Sequence, residues 1–189
     1  MKTKLLMLTV AMSCVFAGNA MALTQVEYKT QKDQISADYK VGRDKCGALK
    51  ANAKDICVSE AKGIDKVAKA ELEAQYKPSA KNNQKAAVAK ADAVYDTAKE
   101  KCDDLAGNAK DVCVKDSKAV HVKAKEDAKV MKVSTDTSAN KAEKMTNVKK
   151  DANAEKREAD YKAANERCDS LASAAKDTCQ KDAKAKFGM

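Results

Sequence analysis

The sequence YDTAKEKCDDLAGNAKDVCVKDSKAV, residues 95–120, decides the fold predicted for this chain. Related stretches occupy residues 39–64 and residues 161 to the end of the chain. Each stretch places a tyrosine seven residues before a cysteine, and a second cysteine eleven residues after the first. The cysteine pairs are Cys46 with Cys57, Cys102 with Cys113, and Cys168 with Cys179.

These stretches predict a helix, a turn and a second helix. Small and apolar residues recur at alternating steps of four and three on each side of the turn, which keeps them on one helical face. If the chain folds back midway between the cysteines, these faces of the two helices meet along a line of contact, which we call the seam. Tyr39 then faces Ile64 and Tyr95 faces Val120 across it. Tyr161 holds the same position in the third stretch. We therefore predict an all-α fold of three disulfide-stapled antiparallel helical hairpins, packed as coiled-coil-like repeats.

One uninterrupted helix through each stretch is the alternative. Both cysteines would then share a face but lie roughly 16 Å apart, beyond the roughly 6 Å between Cα atoms that a disulfide allows. Such a helix could form disulfides only between chains. Small residues beside the cysteine pairs favour the hairpin, because bridged helices must approach closely. They are Gly42 with Ala61, and Ala98 with Ser117.

Turn and linker residues set the predicted boundaries. Pro78 ends the first hairpin, and the polar run at residues 134–139 separates the second from the third. We predict hairpin units at residues 23–77, 78–133 and 134–189, the last two each beginning with a linker. Stacked hairpins and an extended string of hairpins both fit this organisation.

Asparagine is predicted to cap the second helix of two hairpins. Asn52 and Asn108 follow the turns, and an aspartate lies three residues after each, as at a helix N-terminus. Gly107 is suited to end the preceding helix. In the third unit Ala174 replaces the asparagine, so Ser173 is the expected cap. We interpret this unit as a frayed or capping end.

Large apolar side chains are scarce after residue 22. Leu, Ile, Val and Phe together number 22 among the 167 remaining residues, which is below the roughly one-fifth expected of globular chains. Alanine, lysine, glutamate and aspartate dominate instead. This composition is typical of disorder, or of long helices that pack through a thin alanine seam.

The first 22 residues have the pattern of a secretory signal peptide. A basic start is followed by an apolar run and by small residues up to Ala22, so cleavage is predicted between Ala22 and Leu23. The apolar run is too short to span a bilayer. Lipidation at Cys14 is the alternative. Cleavage would leave six cysteines and, through loss of Lys2 and Lys4, would lower the formal net charge from +9 to +7.

An even number of cysteines behind a signal peptide predicts disulfides in an oxidising compartment, and hence a periplasmic protein. The cysteines are too far apart for the C-x-x-C pattern of thiol exchange. A reduced form that binds soft metals is the alternative, although His121 is the single histidine and is interpreted as solvated or partly packed. Because the sequence contains no phosphate loop, catalytic triad or paired-carboxylate pattern, we predict no enzyme activity, cofactor, metal or small-molecule substrate.

Positive and negative charges alternate along the chain, with a modest basic surplus. Such a surplus favours anionic partners such as lipopolysaccharide, anionic lipid or the cell wall. No aromatic platform accompanies the basic residues, so nucleic acid is not an expected partner. After residue 22 no apolar stretch is long enough to span a membrane.

The pattern DYK…KCxxL…NAKDxC, together with AKAELEAQYKPS at residues 68–79, resembles a group of uncharacterised exported proteins of Gram-negative bacteria. These Ala/Lys-rich proteins are often labelled TolA-like, after the cell-envelope protein with a long helical periplasmic segment. The resemblance implies a non-enzymatic structural or interaction role in the envelope, with an unknown envelope protein or an anionic envelope surface as the partner. An electrostatic polyanion-binding module is the second hypothesis.

Overall fold

The computed structural model describes residues 23–189. The signal peptide predicted for residues 1–22, with Cys14, lies outside the described residues. The described part of the chain is helical, with a short 3₁₀ helix at Cys168–Ser170 that continues the fifth α-helix. The six α-helices are α1 Gln25–Cys46, α2 Ala51–Tyr76, α3 Ala80–Cys102, α4 Gly107–Ser134, α5 Lys141–Arg167 and α6 Ser173–Phe187.

Three antiparallel hairpins, each closed by a disulfide, confirm the predicted fold class. The disulfides join Cys46 to Cys57, Cys102 to Cys113, and Cys168 to Cys179, with Cα separations of 5.6, 5.6 and 5.7 Å. The alternative of one uninterrupted helix per unit is wrong, because the chain turns between the two cysteines of each pair.

The hairpins stack side by side, so each helix packs on the one before it and the one after it. The contacts between hairpins, α2 on α3 and α4 on α5, are as extensive as those within them. Of the two arrangements that the sequence allowed, the stacked one is therefore observed. Stacking lets every hairpin bury a second face of its helices, which a short hairpin with few large apolar residues needs.

Alanine fills most of the core, as the composition indicated. Leu72 is the one large aliphatic side chain that is fully buried in the described part of the chain. The first cysteine of each disulfide is completely buried. Helices can approach closely over such small side chains, and a Cβ placed on Gly63 of α2 would lie only 2.9 Å from the Cβ of Ala93 on α3. The buried alanines are Ala61, Ala86, Ala91, Ala119, Ala128, Ala152, Ala163 and Ala183.

The predicted helix caps are wrong. The N-cap residues of α2, α4 and α6 are Lys50, Ala106 and Ala172, and none forms a side-chain capping bond. Each of these helices begins immediately after its N-cap, which is earlier than the predicted caps suggest. The first residue of each helix has a positive φ. Those residues are Ala51 at 49°, Gly107 at 56° and Ser173 at 50°. Gly107 thus begins α4 and does not end α3.

The two turn asparagines instead connect consecutive hairpins. The Asn52 side-chain amide donates to the backbone carbonyl of Glu100 at 2.7 Å and to the Asp104 carboxylate at 2.8 Å. The Asn108 amide donates to the carbonyl of Glu166 at 3.1 Å. Each asparagine therefore adds a hydrogen bond to a carbonyl in the last turn of the next hairpin's first helix. Ala174 lies in the last hairpin, where the described chain has no following helix to receive such a bond.

Candidate functional site

The seam residues predicted from the sequence lie in two different environments. Tyr39, Tyr95 and Tyr161 are half-buried, about two helical turns before the first cysteine of their hairpins. Their expected partners remain largely exposed, with Ile64 70% and Val120 57% accessible to solvent. Ile64 borders the groove between α1 and α2 together with Tyr39, but it flanks that seam without filling it.

His121 takes the seam position that was expected for its neighbour Val120. Its ring stacks on Tyr95 with centroids 4.5 Å apart and planes at 9°. The Nε2 atom lies 2.5 Å from the Asp92 carboxylate, and the side chain is only 8% exposed. The interpretation of His121 as solvated or partly packed is therefore wrong. An imidazole fits here because α3 supplies both a flat ring and a carboxylate one helical turn apart.

The His121 cluster has the character of a packing contact. Its Nδ1 atom is buried without a hydrogen-bond partner, and the ammonium groups of Lys99 and Lys118 lie 5.9 and 5.2 Å from the centre of the Tyr95 ring. In the described residues, no group of three histidine, cysteine or acidic side chains is arranged to hold a metal ion. The cluster therefore joins α3 to α4 by one hydrogen bond and one stacked pair of rings.

A second feature, not found from the sequence, is an open groove between α2 and α3 with a volume of about 650 Å³. An apolar strip lies along its floor and walls, and Val94 on that strip is 61% exposed. Two ion pairs cross the groove at its ends, Glu60 with Lys101 at 3.1 Å and Glu71 with Lys90 at 2.6 Å. The apolar strip consists of Ile64, Val67, Ala68, Ala93, Val94 and Ala98.

The length of the apolar strip suits a helix. Glu60 and Glu71 are about three helical turns apart on α2, so the two ion pairs enclose a strip roughly 16 Å long. Grooves of this kind, with apolar walls and charged ends, are the surfaces into which amphipathic helices pack.

The equivalent groove between α4 and α5 has a different centre. When the hairpins are aligned by their cysteines, Asp116 with Arg167 at 2.5 Å takes the place of Glu60 with Lys101. Lys156 with Asp127 takes the place of Lys90 with Glu71. The apolar residues Val67 and Val94, however, correspond to Lys123 and Asp160, which form an ion pair of 2.6 Å across the groove.

The apolar strip is therefore a property of the first junction and does not follow from hairpin stacking as such. The ends of both junctions carry the same charges, but only the groove between α2 and α3 leaves its centre apolar and open. The sequence contained a signal for this difference, since valines stand at positions 67 and 94 where a lysine and an aspartate stand at 123 and 160. The signal could be read only once the partner helix was known.

Two further groups of polar contacts lie outside the groove. Hydrogen bonds from Lys144 and from the backbone N–H of Ser138 hold the pKa of Asp136 well below its usual range. The Tyr28 hydroxyl donates to Glu73 at 2.9 Å, and this bond raises the pKa of Tyr28. The Tyr28 ring also stacks on Tyr76 with centroids 4.3 Å apart. The contacts of Asp136 hold the α4–α5 loop in place, and those of Tyr28 hold the start of α1 against the end of α2.

The geometry defines the class of the molecule as a stack of disulfide-stapled helical hairpins with an open apolar groove between α2 and α3. Comparison of the chain with family models, with curated proteins and with solved structures gives no match. No helix in the described residues is long and apolar enough to cross a membrane.

Proposed function

We propose that this chain is a non-enzymatic structural and interaction protein of the cell envelope that acts in the periplasm. The three disulfides support an oxidising compartment outside the cytoplasm. Because the thin alanine core alone stabilises the helices weakly, the bridges give the hairpins the rigidity that a binding surface requires.

The apolar strip between α2 and α3 is the single observation that carries this proposal. Exposed apolar surface is costly in water, and the equivalent groove between α4 and α5 places an ion pair where the strip has Val67 and Val94. The contrast within one molecule indicates that the strip is kept for contact with another polypeptide.

The proposal is tested by photocrosslinking in the periplasm of a Gram-negative host. A photoreactive amino acid at Ile64, in the strip, should give a discrete crosslinked product. The same amino acid at Lys62 or at Val120 serves as a control, because Lys62 borders the opposite groove and Val120 is the equivalent of Ile64 on α4. Equal labelling at all three positions, or no product from Ile64, would count against a contact surface in this groove.

A polyanion-binding module is the second candidate. On the opposite face, Lys62, Lys66 and Lys99 border a groove between α2 and α3, and the chain after the predicted cleavage site carries a formal charge of +7. Co-sedimentation with vesicles of anionic lipid tests this role, since binding by exposed lysines should fall steeply between low and high salt. Binding that survives high salt, or that is equal for neutral vesicles, would exclude the electrostatic mode.

A further inference from the structure

We propose that the apolar strip binds a second copy of this chain, in a dimer whose two-fold axis runs along the groove between α2 and α3. This inference rests on the proposed role of the groove as a protein contact surface, and it names the partner. It is drawn from the distribution of charge at the ends of the groove and from the shape of the strip between them.

The charges at the ends select this axis. Rotation about the groove axis places α2 of one copy over α3 of the other without exchanging the ends of the groove. Glu60 then lies over the second copy's Lys101, and Glu71 lies over its Lys90. Each copy contributes two acidic and two basic groups, so four opposite-charge pairs surround the strip. Opposite charges at a rim steer association and set its register.

The other two-fold rotation that brings the same faces together is disfavoured. Its axis crosses the helices at a right angle, so α2 lies over α2 and α3 over α3 with their ends exchanged. Glu60 then faces Glu71, and Lys90 faces Lys101, in both halves of the contact. Like charges in close juxtaposition oppose association, and the arrangement of these four residues thus specifies one of two symmetric dimers.

The shape of the strip also suits the groove-axis dimer. The ion pairs place Ile64 of α2 at the same level as Thr97 and Ala98 of α3. The exposed Ile64 of one copy therefore meets small side chains on the other, while Val94 of one copy meets Val67 of the other. A protruding side chain opposite small ones is the arrangement by which helices interdigitate. A closed, self-complementary contact of this kind ends at two copies.

Charge-reversal variants test whether the charged ends of the groove drive the association. In the lysine variant, Glu60→Lys and Glu71→Lys, all four end groups are basic. In the glutamate variant, Lys90→Glu and Lys101→Glu, all four are acidic. We expect each variant alone to be monomeric in sedimentation velocity at concentrations where the unmodified chain is dimeric, and an equimolar mixture to form a one-to-one heterodimer. Circular dichroism checks that both remain helical, which is expected because these ion pairs lie at the surface.

The apolar contact is tested by Ile64→Glu, with Val120→Glu as the matched control at the equivalent, similarly exposed position on α4. We expect Ile64→Glu to raise the dimer dissociation constant roughly thirtyfold or more, as for a residue at the centre of an interface, and Val120→Glu to leave it unchanged. The inference is overturned if the unmodified chain stays monomeric up to about 100 µM, the range of weak small interfaces. It is also overturned if Ile64→Glu and Val120→Glu weaken association equally, or if the mixture of the lysine and glutamate variants stays monomeric.

These outcomes separate the inference from the proposed function. A chain that is monomeric in solution but crosslinks through Ile64 to a different envelope protein retains the proposed function and loses the self-association. A chain that dimerises through the strip and crosslinks only to itself supports the inference and restricts the interaction role to self-assembly. A chain that is monomeric and gives no product from Ile64 loses both.

Discussion

At the scale of single residues, the glycines of this chain show where backbone and packing requirements differ. Gly42 and Gly63 both lie within helices, where alanine is normally the better residue. A Cβ at Gly42 would meet the Cβ of Ala61 at 3.6 Å, which is an ordinary contact, whereas a Cβ at Gly63 would lie 2.9 Å from that of Ala93. The same substitution should therefore have opposite effects at the two sites.

We expect Gly42→Ala to raise the free energy of unfolding by about 0.5–1 kcal/mol, the usual gain in helix propensity. Gly63→Ala should lower it by about 1–2 kcal/mol, because overpacking between α2 and α3 outweighs that gain. Guanidinium unfolding followed by circular dichroism measures both values. Stabilisation by Gly63→Ala would mean that α2 and α3 are not in close contact in solution.

The positive φ angles of the first residues of α2 and α4 lead to a second prediction. Ala51 has a φ of 49°, whereas the equivalent Gly107 has a φ of 56° and no atoms near the position of a Cβ. The left-handed conformation costs a residue with a side chain about 1 kcal/mol more than it costs glycine. We expect Ala51→Gly to stabilise the chain and Gly107→Ala to destabilise it by about that amount. Changes of equal sign for the two substitutions in thermal unfolding would argue against these turns.

At the scale of helices and turns, the register between hairpins depends on the two turn asparagines. Asn52→Ala removes two hydrogen bonds to the next hairpin and should lower the free energy of unfolding by about 1–2 kcal/mol. Asn108→Ala removes one and should cost about 1 kcal/mol.

Ala174→Asn is the control for the turn asparagines. Position 174 corresponds to Asn52 and Asn108, but in the described chain α6 packs on α5 and is followed by no further helix. We expect this substitution to leave the free energy of unfolding unchanged. Equal losses for all three substitutions would show that the asparagines act within their own helices and not between hairpins.

The loop between α4 and α5 should depend on pH. Because the pKa of Asp136 is depressed in the folded chain by Lys144 and Ser138, its contribution to stability is fully present above its unfolded pKa of about 4. That contribution is lost as the pH falls further. The backbone amide of Ser138 donates to Asp136 at 2.9 Å. We expect the protection factor of this amide against hydrogen exchange to fall on acidification.

Asp136→Asn should remove this acid dependence, and Asp151→Asn, at an exposed position on α5, should preserve it. Hydrogen exchange detected by NMR gives the protection factor of Ser138 at each pH. Equal protection at pH 2 and pH 7 in the unmodified chain would show that the bonds to Asp136 do not order the loop.

At the scale of the whole molecule, a disulfide has different consequences at the centre and at the end of the stack. The central hairpin is packed on both sides, whereas α6, a helix of 15 residues, packs on α5. We expect replacement of Cys102 and Cys113 by alanine to lower the global free energy of unfolding by about 3 kcal/mol, the entropy of closing a short loop. Replacement of Cys168 and Cys179 should release α6 locally. Hydrogen exchange distinguishes the two, and protection that persists throughout α6 would contradict the second expectation.

Much of the architecture could be predicted because it depends on short distances along the chain. The disulfide pairs lie across a single turn, so the steps of four and three on either side were enough to pair Cys102 with Cys113 and to place Gly42 opposite Ala61. The caps were predicted wrongly, since the bonds of Asn52 and Asn108 go to carbonyls about fifty residues away. His121, and not Val120, lies at the seam because the rotation of α4 about its own axis is set by its contacts with both α3 and α5.

The sequence by itself determined the three helical hairpins, their disulfides and the alanine seam, because periodicity and turn residues act locally. Only the tertiary structure decided that the hairpins stack, that the turn asparagines connect them, and that α2 and α3 leave an apolar strip open. These features arise between helices that do not share a hairpin, where the contacting residues obey no fixed spacing. The valines at positions 67 and 94 acquire a meaning only when their helices lie side by side, and the same positions in the next junction, occupied by Lys123 and Asp160, form an ion pair instead.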